Sequence, residues 1–295
     1  MASIRSRLLE RPIVASVLLI VIYLAFYILG EVLSLIIANR ILVDSPILAQ
    51  AARIAILFFI NAFVWFWLVP HSLHLPDGKV PLQKYIDTIH LDKSSGKPYA
   101  KNIVFALVCV SVFCFGLLVA SLLTGEYAFD IGRILGFPDE QGNLNAFAFV
   151  FYLIPGLFEE VAYRGVILVL LLRKYTEKTS MIISGIMFGV SHLINILTSG
   201  FSLNTLTQVL TGIIIGIFFA YVVIKSGTLL ITIVIHYLYN SLSILFVVFN
   251  ESDPVVYFIL KMIFASLIPV LLNGYLARSF LKSKTQARST ESESI

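Results

Sequence analysis

Seven residues in the second half of the chain combine types and spacings that can do chemistry. Glu159 and Glu160 are adjacent, with Arg164 four residues on, in Glu-Glu-Val-Ala-Tyr-Arg. Phe188 precedes His192 by four residues, and His236 precedes Asn240 by four. On a helix, residues four apart share a face, so Glu160 can pair with Arg164 while Glu159, turned about 100° away, stays available for another partner. A carboxylate and an imidazole, here Glu159 and His192, can hold a water and take its proton, which makes a nucleophile. A second imidazole and a carboxamide, His236 and Asn240, can donate hydrogen bonds to the oxyanion that forms when a carbonyl is attacked. Alternatively Glu159, His192 and His236 are enough ligands for a catalytic Zn2+ with an open position. Either arrangement hydrolyses an amide. The sequence contains neither His-Glu-x-x-His nor Gly-x-Ser-x-Gly, so the common zinc-helix and serine-hydrolase templates do not apply.

Those residues sit in a chain built for lipid. Its 295 residues are 59% hydrophobic and 13% charged, with a mean hydropathy of +0.94. The charged share is about half that of a soluble protein. Too few polar residues remain to cover a water-facing surface, so the excess must face a bilayer. A cytosolic enzyme, a secreted disulfide scaffold and a disordered adaptor are excluded on that ground. Basic residues do not cluster with aromatics in the manner of a nucleic-acid surface. Cys109 and Cys114 lie five apart in one apolar run and read as small core hydrophobes.

Eight apolar runs follow one another: Ile13–Ala38, Ile47–Val69, Ile103–Leu123, Asn145–Leu172, Met181–Leu197, Leu203–Ile224, Leu229–Phe249 and Val255–Leu276. A helix needs about 20 apolar residues to cross ~30 Å of hydrocarbon, and runs this long and continuous are helices rather than barrel strands. The expected fold is an all-α polytopic membrane protein with about eight transmembrane helices. With the N-terminus inside, 16 of the 21 basic residues fall on the cytoplasmic side. Arg40, Arg53 and Arg133 fall outside, and Arg164 and Lys261 lie within spans. That bias predicts both termini in the cytoplasm of a multi-pass cell-membrane protein. The first run is too long for a cleaved signal peptide and reads as an anchor. Loop 70–101 is expected to be cytoplasmic, with an interfacial helix near Val80–Leu91. Residues 1–144 hold spans one to three, 145–249 a four-helix core (spans four to seven), 250–282 the last span, and 283–295 a disordered tail. No internal repeat is visible.

Depth ties the chemistry to the spans. Glu159 lies 14 residues from Arg173, His192 14 from Lys178, and His236 11 from Lys225. Those separations are ~21, ~21 and ~16 Å along helices, so three ionisable groups reach nearly one level near the bilayer centre. Such groups are costly in lipid and mark functional sites by default. Gly189 and Pro155-Gly156 are expected to loosen packing beside them and favour a water-filled cavity. Glu31 and Lys261 have no motif context and are expected to pair or snorkel.

The three segments together resemble the CPBP family, the CAAX protease and bacteriocin-processing intramembrane proteases also called Abi. Glu159-Glu160-x-x-x-Arg164, Phe188-x-x-x-His192 and His236-x-x-x-Asn240 match its pattern in order, over roughly Asn145–Phe249, about a third of the chain. The resemblance implies an eight-helix membrane endopeptidase like the Ras-converting CAAX prenyl protease. By that likeness Glu159 and His192 activate water, His236 and Asn240 stabilise the oxyanion, and Glu160 and Arg164 form a supporting ion pair. Phe188 would pack along the cavity. The family is described both as metalloproteases and as metal-free glutamate proteases, and the pattern fits either. The substrate would be a peptide or a membrane protein.

Two other readings stand beside this one. Midplane carboxylates and histidines also build proton relays in transporters, and the same fold without catalysis can bind a peptide as an immunity protein. Singly, an intramembrane His or Asn more often bonds a neighbouring helix. Asn240 separates the readings, because an oxyanion hole uses a carboxamide donor and a proton relay gains nothing from a group that does not titrate.

Overall fold

The structure, a computed structural model, describes residues 8–42, 44–76, 78–91, 99–124, 127–129, 147–243, 245–248 and 253–281. The expected tail, the first residues of the fourth span and Arg133 lie outside these.

Helices form where the apolar runs predict them. They are α1 (Pro12–Arg40), α2 (Pro46–Leu73), the short α3 (Leu82–Thr88), α4 (Tyr99–Leu123), α5 (148–172), α6 (177–199), α7 (Leu203–Ser226), α8 (Leu230–Ser243) and α9 (Pro254–Leu281). Start signals are local. Proline opens α1, α2 and α9, where its missing N–H is not needed. Thr176 and Ser202 cap α6 and α7 by accepting from Thr179 N and Thr205 N respectively, at 3.3 and 3.2 Å. Gly227, at φ +72°, ends α7 in the left-handed conformation that glycine adopts without strain.

Five helices, α1, α2, α4, α7 and α9, are long and apolar enough to cross a membrane. The protein is therefore a polytopic membrane protein. Four of the nine fall short of that mark: the seven-residue α3, and α5, α6 and α8, which carry the chemical residues. α5, α6 and α8 can carry more polar residues because neighbouring helices surround them: Val161 to Leu168 of α5 is buried without a break.

Contacts sort the helix ends into two sets. At one end Lys174 donates to Glu10 O at 2.9 Å, Lys225 pairs with Glu177 at 2.9 Å, and Leu229 N donates to His90 O at 3.0 Å. The N-terminus, the loop carrying α3, the α5–α6 turn and the α7–α8 turn thus meet there. At the other end β1 (Tyr127–Phe129) pairs antiparallel with β2 (Phe246–Val248), joining the segments that follow α4 and α8. This small ribbon was not expected from the sequence, and its three residues per strand leave the fold all-helical in kind. The loop helix falls within the predicted Val80–Leu91, but it is docked rather than lying free. Tyr85 and Ile89 are fully buried, and the Tyr85 hydroxyl donates to Trp65 O at 2.7 Å.

Arg53, in the first third of α2, makes a two-pronged ion pair with Glu31 of α1, at 2.7 and 2.9 Å. Its guanidinium also lies 5.0 Å over the Phe151 ring. This is the pairing expected for Glu31, and the bidentate fork is the geometry that best offsets two partly buried charges.

Candidate active site

The site grows from two helix irregularities and one glycine seam. In α5, the α-helical turn carrying Glu159 and Glu160 passes directly into a π-helical stretch, Val161–Ile167. Wide turns of this kind release carbonyls from the regular ladder and recur at functional sites. Here the Tyr163 carbonyl accepts from Ser184 Oγ of α6 at 3.0 Å, which ties the two motif helices together. In α6, the α-helix ends at Ser191 and His192–Asn195 continues as a 3-10 turn. His192 therefore projects from a break rather than from a regular face.

The seam corrects the expected role of glycine. Gly185 and Gly189 of α6 face Gly212 and Gly216 of α7, a reciprocal four-residue spacing of small residues that lets two helices touch backbone to backbone. A Cβ on Gly189 would stand 2.5 Å from Val209 O, and one on Gly156 2.9 Å from Tyr237 Cα. These glycines tighten the bundle around the cavity instead of loosening it. Gly212 has a second job, since a Cβ there would lie 3.0 Å from His192 Cδ2 and 3.4 Å from its Nε2. Gly189→Ala is expected to force α6 and α7 apart and lower the thermal unfolding midpoint in detergent by several degrees. Gly212→Ala is expected to crowd the imidazole and lower activity with a smaller loss of stability. Equal midpoints for Gly189→Ala and wild type would refute the close approach.

Within this frame the predicted residues converge. Glu159, Phe188, His192, His236 and Asn240, from α5, α6 and α8, all line one cavity of about 480 Å³. That is the size range of small-ligand and peptide pockets. His236 is the hub. Its Nδ1 is 2.9 Å from Glu160 Oε1, and its Nε2 is 3.7 Å from Glu159 Oε2. Arg164 Nη1 bonds the same Glu160 oxygen at 3.1 Å, with both side chains completely buried. Glu160 and Arg164 thus stand behind the cavity wall, and Glu160 holds one nitrogen of His236 while the other faces Glu159 and the open space.

Among the described residues, Arg164 Nε and Nη2 have no hydrogen-bond partner. Aromatic faces take their place, with the guanidinium carbon 4.3 Å over Phe188 and 5.3 Å over Phe219. A cation over a ring is stabilised by the ring quadrupole, most strongly where water is excluded. Phe188 also meets His192 and His236 edge-on, at centroid distances of 5.0 and 5.8 Å. Its place in the motif has a physical reason: one ring seats both imidazoles and the buried cation.

A catalytic Zn2+ would draw its ligands from Glu159, His192 and His236. Glu159 and His236 are close enough to share an ion, and Glu160 would orient the outer imidazole nitrogen as second partners of metal-bound histidines do. Among the described residues, however, no group of three His, Cys, Asp or Glu side chains gathers at metal-ligand spacing, and His192 does not complete one. The residues as placed do not fit a three-ligand zinc, and no step below runs through a metal.

Sequence reasoning missed part of the wall. Tyr23 and Tyr27 of α1 and Ser121 of α4 line the cavity, contributed by helices with no motif. Lys261 was seen as an intramembrane charge and read as pairing or snorkelling. It lies on the cavity wall, 5.4 Å over the Tyr257 ring, in a π-helical stretch of α9. Its charge was the available signal, and only the packing of α9 beside α7 turns it inward.

Compared with known protein families, residues 141–242 match the type II CAAX prenyl endopeptidase, Rce1-like family. No curated protein and no solved structure matches the chain.

Proposed function

We propose that this chain is an intramembrane peptidase of the CAAX protease kind, which cleaves a peptide or membrane-protein substrate with water activated by Glu159 and His192; the match of residues 141–242 to the type II CAAX prenyl endopeptidase, Rce1-like family supports this reading. The observation that carries this reading is the convergence of Glu159, His192, His236 and Asn240 on one cavity.

The chemistry follows from the geometry. Glu159, on the wall, accepts a proton from a water held between it and His192. The hydroxide attacks the scissile carbonyl. His236 Nε2, when it carries a proton, and the Asn240 carboxamide donate to the resulting oxyanion. Glu160 fixes the His236 ring through Nδ1, as the carboxylate of a serine-protease triad fixes its imidazole. Arg164 balances the Glu160 charge. Glu159 then returns its proton to the leaving amine. Asn240 supports peptide hydrolysis over a proton relay, because a carboxamide donates but does not titrate.

In this reading the chain crosses the cell membrane eight times with both termini in the cytoplasm, residues 145–249 form the catalytic core, and the remaining helices shield it from lipid. The charge count supports that orientation, with Arg40, Arg53 and Arg133 on the outer side against 16 basic residues on the inner. The test is a comparison of protein termini in membranes carrying wild-type chain or Glu159→Gln at matched abundance, with and without a zinc chelator. New ends made only by wild type, and insensitive to the chelator, support the metal-free reading. Chelator-sensitive ends would replace it with a metallopeptidase. No new ends would shift the weight to a transporter or an immunity protein.

A further inference from the structure

Among the described residues on the cavity wall, Lys261 is the only lysine or arginine, and Glu159 the only carboxylate. A lysine within a span is costly and marks a functional site by default. Snorkelling offsets that cost when the side chain can run outward along the lipid face. Lys261 is turned the other way. Ile259, Ile263 and Leu267 form an exposed stripe on α9, and Lys261, two positions from each of the isoleucines, falls on the opposite side of the helix.

Packing holds it there. Lys261 opens the π-helical stretch Lys261–Leu267, and one wide turn later Ser266 shares a hydrogen bond of 2.8 Å with Thr211 of α7. On the other flank, Gly116 of α4 meets the Phe264 carbonyl so closely that a Cβ would not fit. Thr211 precedes Gly212, the residue that abuts His192. Lys261 therefore stands about one turn of α9 from the level of His192. The Tyr257 ring lies 5.4 Å from its Nζ, a contact that steadies a cation without using an N–H.

The polar groups that share this part of the wall, Asn195, Gln208 and Ser243 among them, are neutral. Neutral groups discriminate poorly between an anion and an amide. A lysine discriminates well, because its bond to a carboxylate is charge-assisted and its bond to a carboxamide carbonyl is weaker. An anionic substrate group entering this cavity also meets the like charge of Glu159, and Lys261 is the cation on the wall that offsets it.

We propose that Lys261 is a specificity-determining residue: it binds a carboxylate of the substrate peptide, on an acidic side chain or at the chain end, a few residues from the bond presented to Glu159 and His192. The proposal rests on the peptidase reading and deepens it. An extended peptide advances ~3.3 Å per residue and a helical turn ~5.4 Å, so a short peptide segment spans the distance from His192 to the lysine.

The test uses synthetic peptides in matched forms that differ only in charge: Glu against Gln at one position, and a free C-terminal carboxylate against a C-terminal amide. Cleavage is followed by mass spectrometry in proteoliposomes of wild type, Lys261→Arg, Lys261→Met and Lys261→Glu. Retention of the same peptides is measured on Glu159→Gln with and without Lys261→Met. Wild type is expected to cleave the carboxylate member of a pair with a kcat/KM about tenfold or more above its neutral partner, the difference lying in KM. Lys261→Arg should keep the preference, Lys261→Met lose it, and Lys261→Glu reverse it. A preference within the Glu and Gln pairs identifies a side chain as the bound group, and one within the acid and amide pairs identifies the chain end; either supports the proposal. Equal loss on both members of every pair would mean that the lysine serves the fold, and it overturns the proposal, as does a preference that survives Lys261→Met. Cleavage without any preference overturns the carboxylate site and keeps the peptidase. Charge-selective retention that Lys261→Met abolishes, with no peptide cleaved by wild type, keeps the carboxylate site and overturns the peptidase.

Discussion

Glu159→Gln is expected to lower turnover about a thousandfold while leaving the protein folded and inserted. The amide matches the carboxylate in size and can still hold a water, but it cannot take a proton. Loss of a positioned general base costs about 10²–10⁴ in rate. The fold should tolerate the change, because Glu159 faces the cavity and its contact with His236 Nε2 is long, at 3.7 Å. Its side chain keeps 19% exposure there, whereas Glu160 keeps none. The measurement is the initial cleavage rate in proteoliposomes of a fluorogenic peptide spanning the mapped site, with the thermal midpoint as the folding control. His192→Ala should cause a loss of similar size, and the double variant should be little worse than either single. Residues acting as one unit do not add. Activity of Glu159→Gln within tenfold of wild type would remove Glu159 from the water-activating role. Independent, additive losses would separate it from His192.

The sequence carried much of this site because each motif residue is abnormal for its surroundings. A glutamate pair, two histidines and an asparagine stand out in helices that are otherwise apolar, and their counted depths already placed three of them at one level. The helices were equally plain, since long apolar runs broken by Asn39-Arg40, Ser199-Gly200 or Lys225-Ser226-Gly227 leave little choice of boundary. What could not be read was which partner each group takes. Glu160 to Arg164 is a local, four-residue relation and was predictable. Glu160 to His236 spans 76 residues and depends on how α5 and α8 pack.

Glycine was misread for a similar reason. A glycine in an apolar helix can mark a weak point or a close approach, and the sequence of α6 alone does not distinguish them. The matching spacing of Gly212 and Gly216 on α7 was the available signal, legible only once α6 and α7 are known to be neighbours. Arg53 shows a limit of another kind: its charge was plain in the sequence, but its two-pronged contact with Glu31, 22 residues away on α1, was not. The inward turn of Lys261 was likewise invisible, because linear sequence does not say which face of α9 packs against α7.

Arg164→Met is expected to be the most destabilising single change in the site. It deletes the cation beside a carboxylate with no exposure and leaves Glu160 its 2.9 Å contact with His236 Nδ1. Removing one member of a buried ion pair costs about 3–5 kcal/mol. For a chain of this size that corresponds to a fall of about 10 °C in the thermal midpoint, with lower accumulation in the membrane. Two explanations of the loss compete, since Arg164 also stacks over Phe188 and Phe219. Glu160→Gln/Arg164→Met separates them. If the uncompensated carboxylate is the main cost, removing both charges should recover most of the stability, because Gln and Met fill similar volume and the Gln carbonyl can still accept from His236. If the aromatic contacts are the main term, worth up to about 2 kcal/mol when water is excluded, the double variant should stay as low as Arg164→Met. Activity adds a readout that stability alone does not give. The double variant should turn over more slowly than wild type even when folded, since a neutral Gln holds the His236 ring less firmly than a carboxylate. A wild-type midpoint for Arg164→Met would show that Glu160 does not depend on its arginine, and the buried pair would lose its structural role.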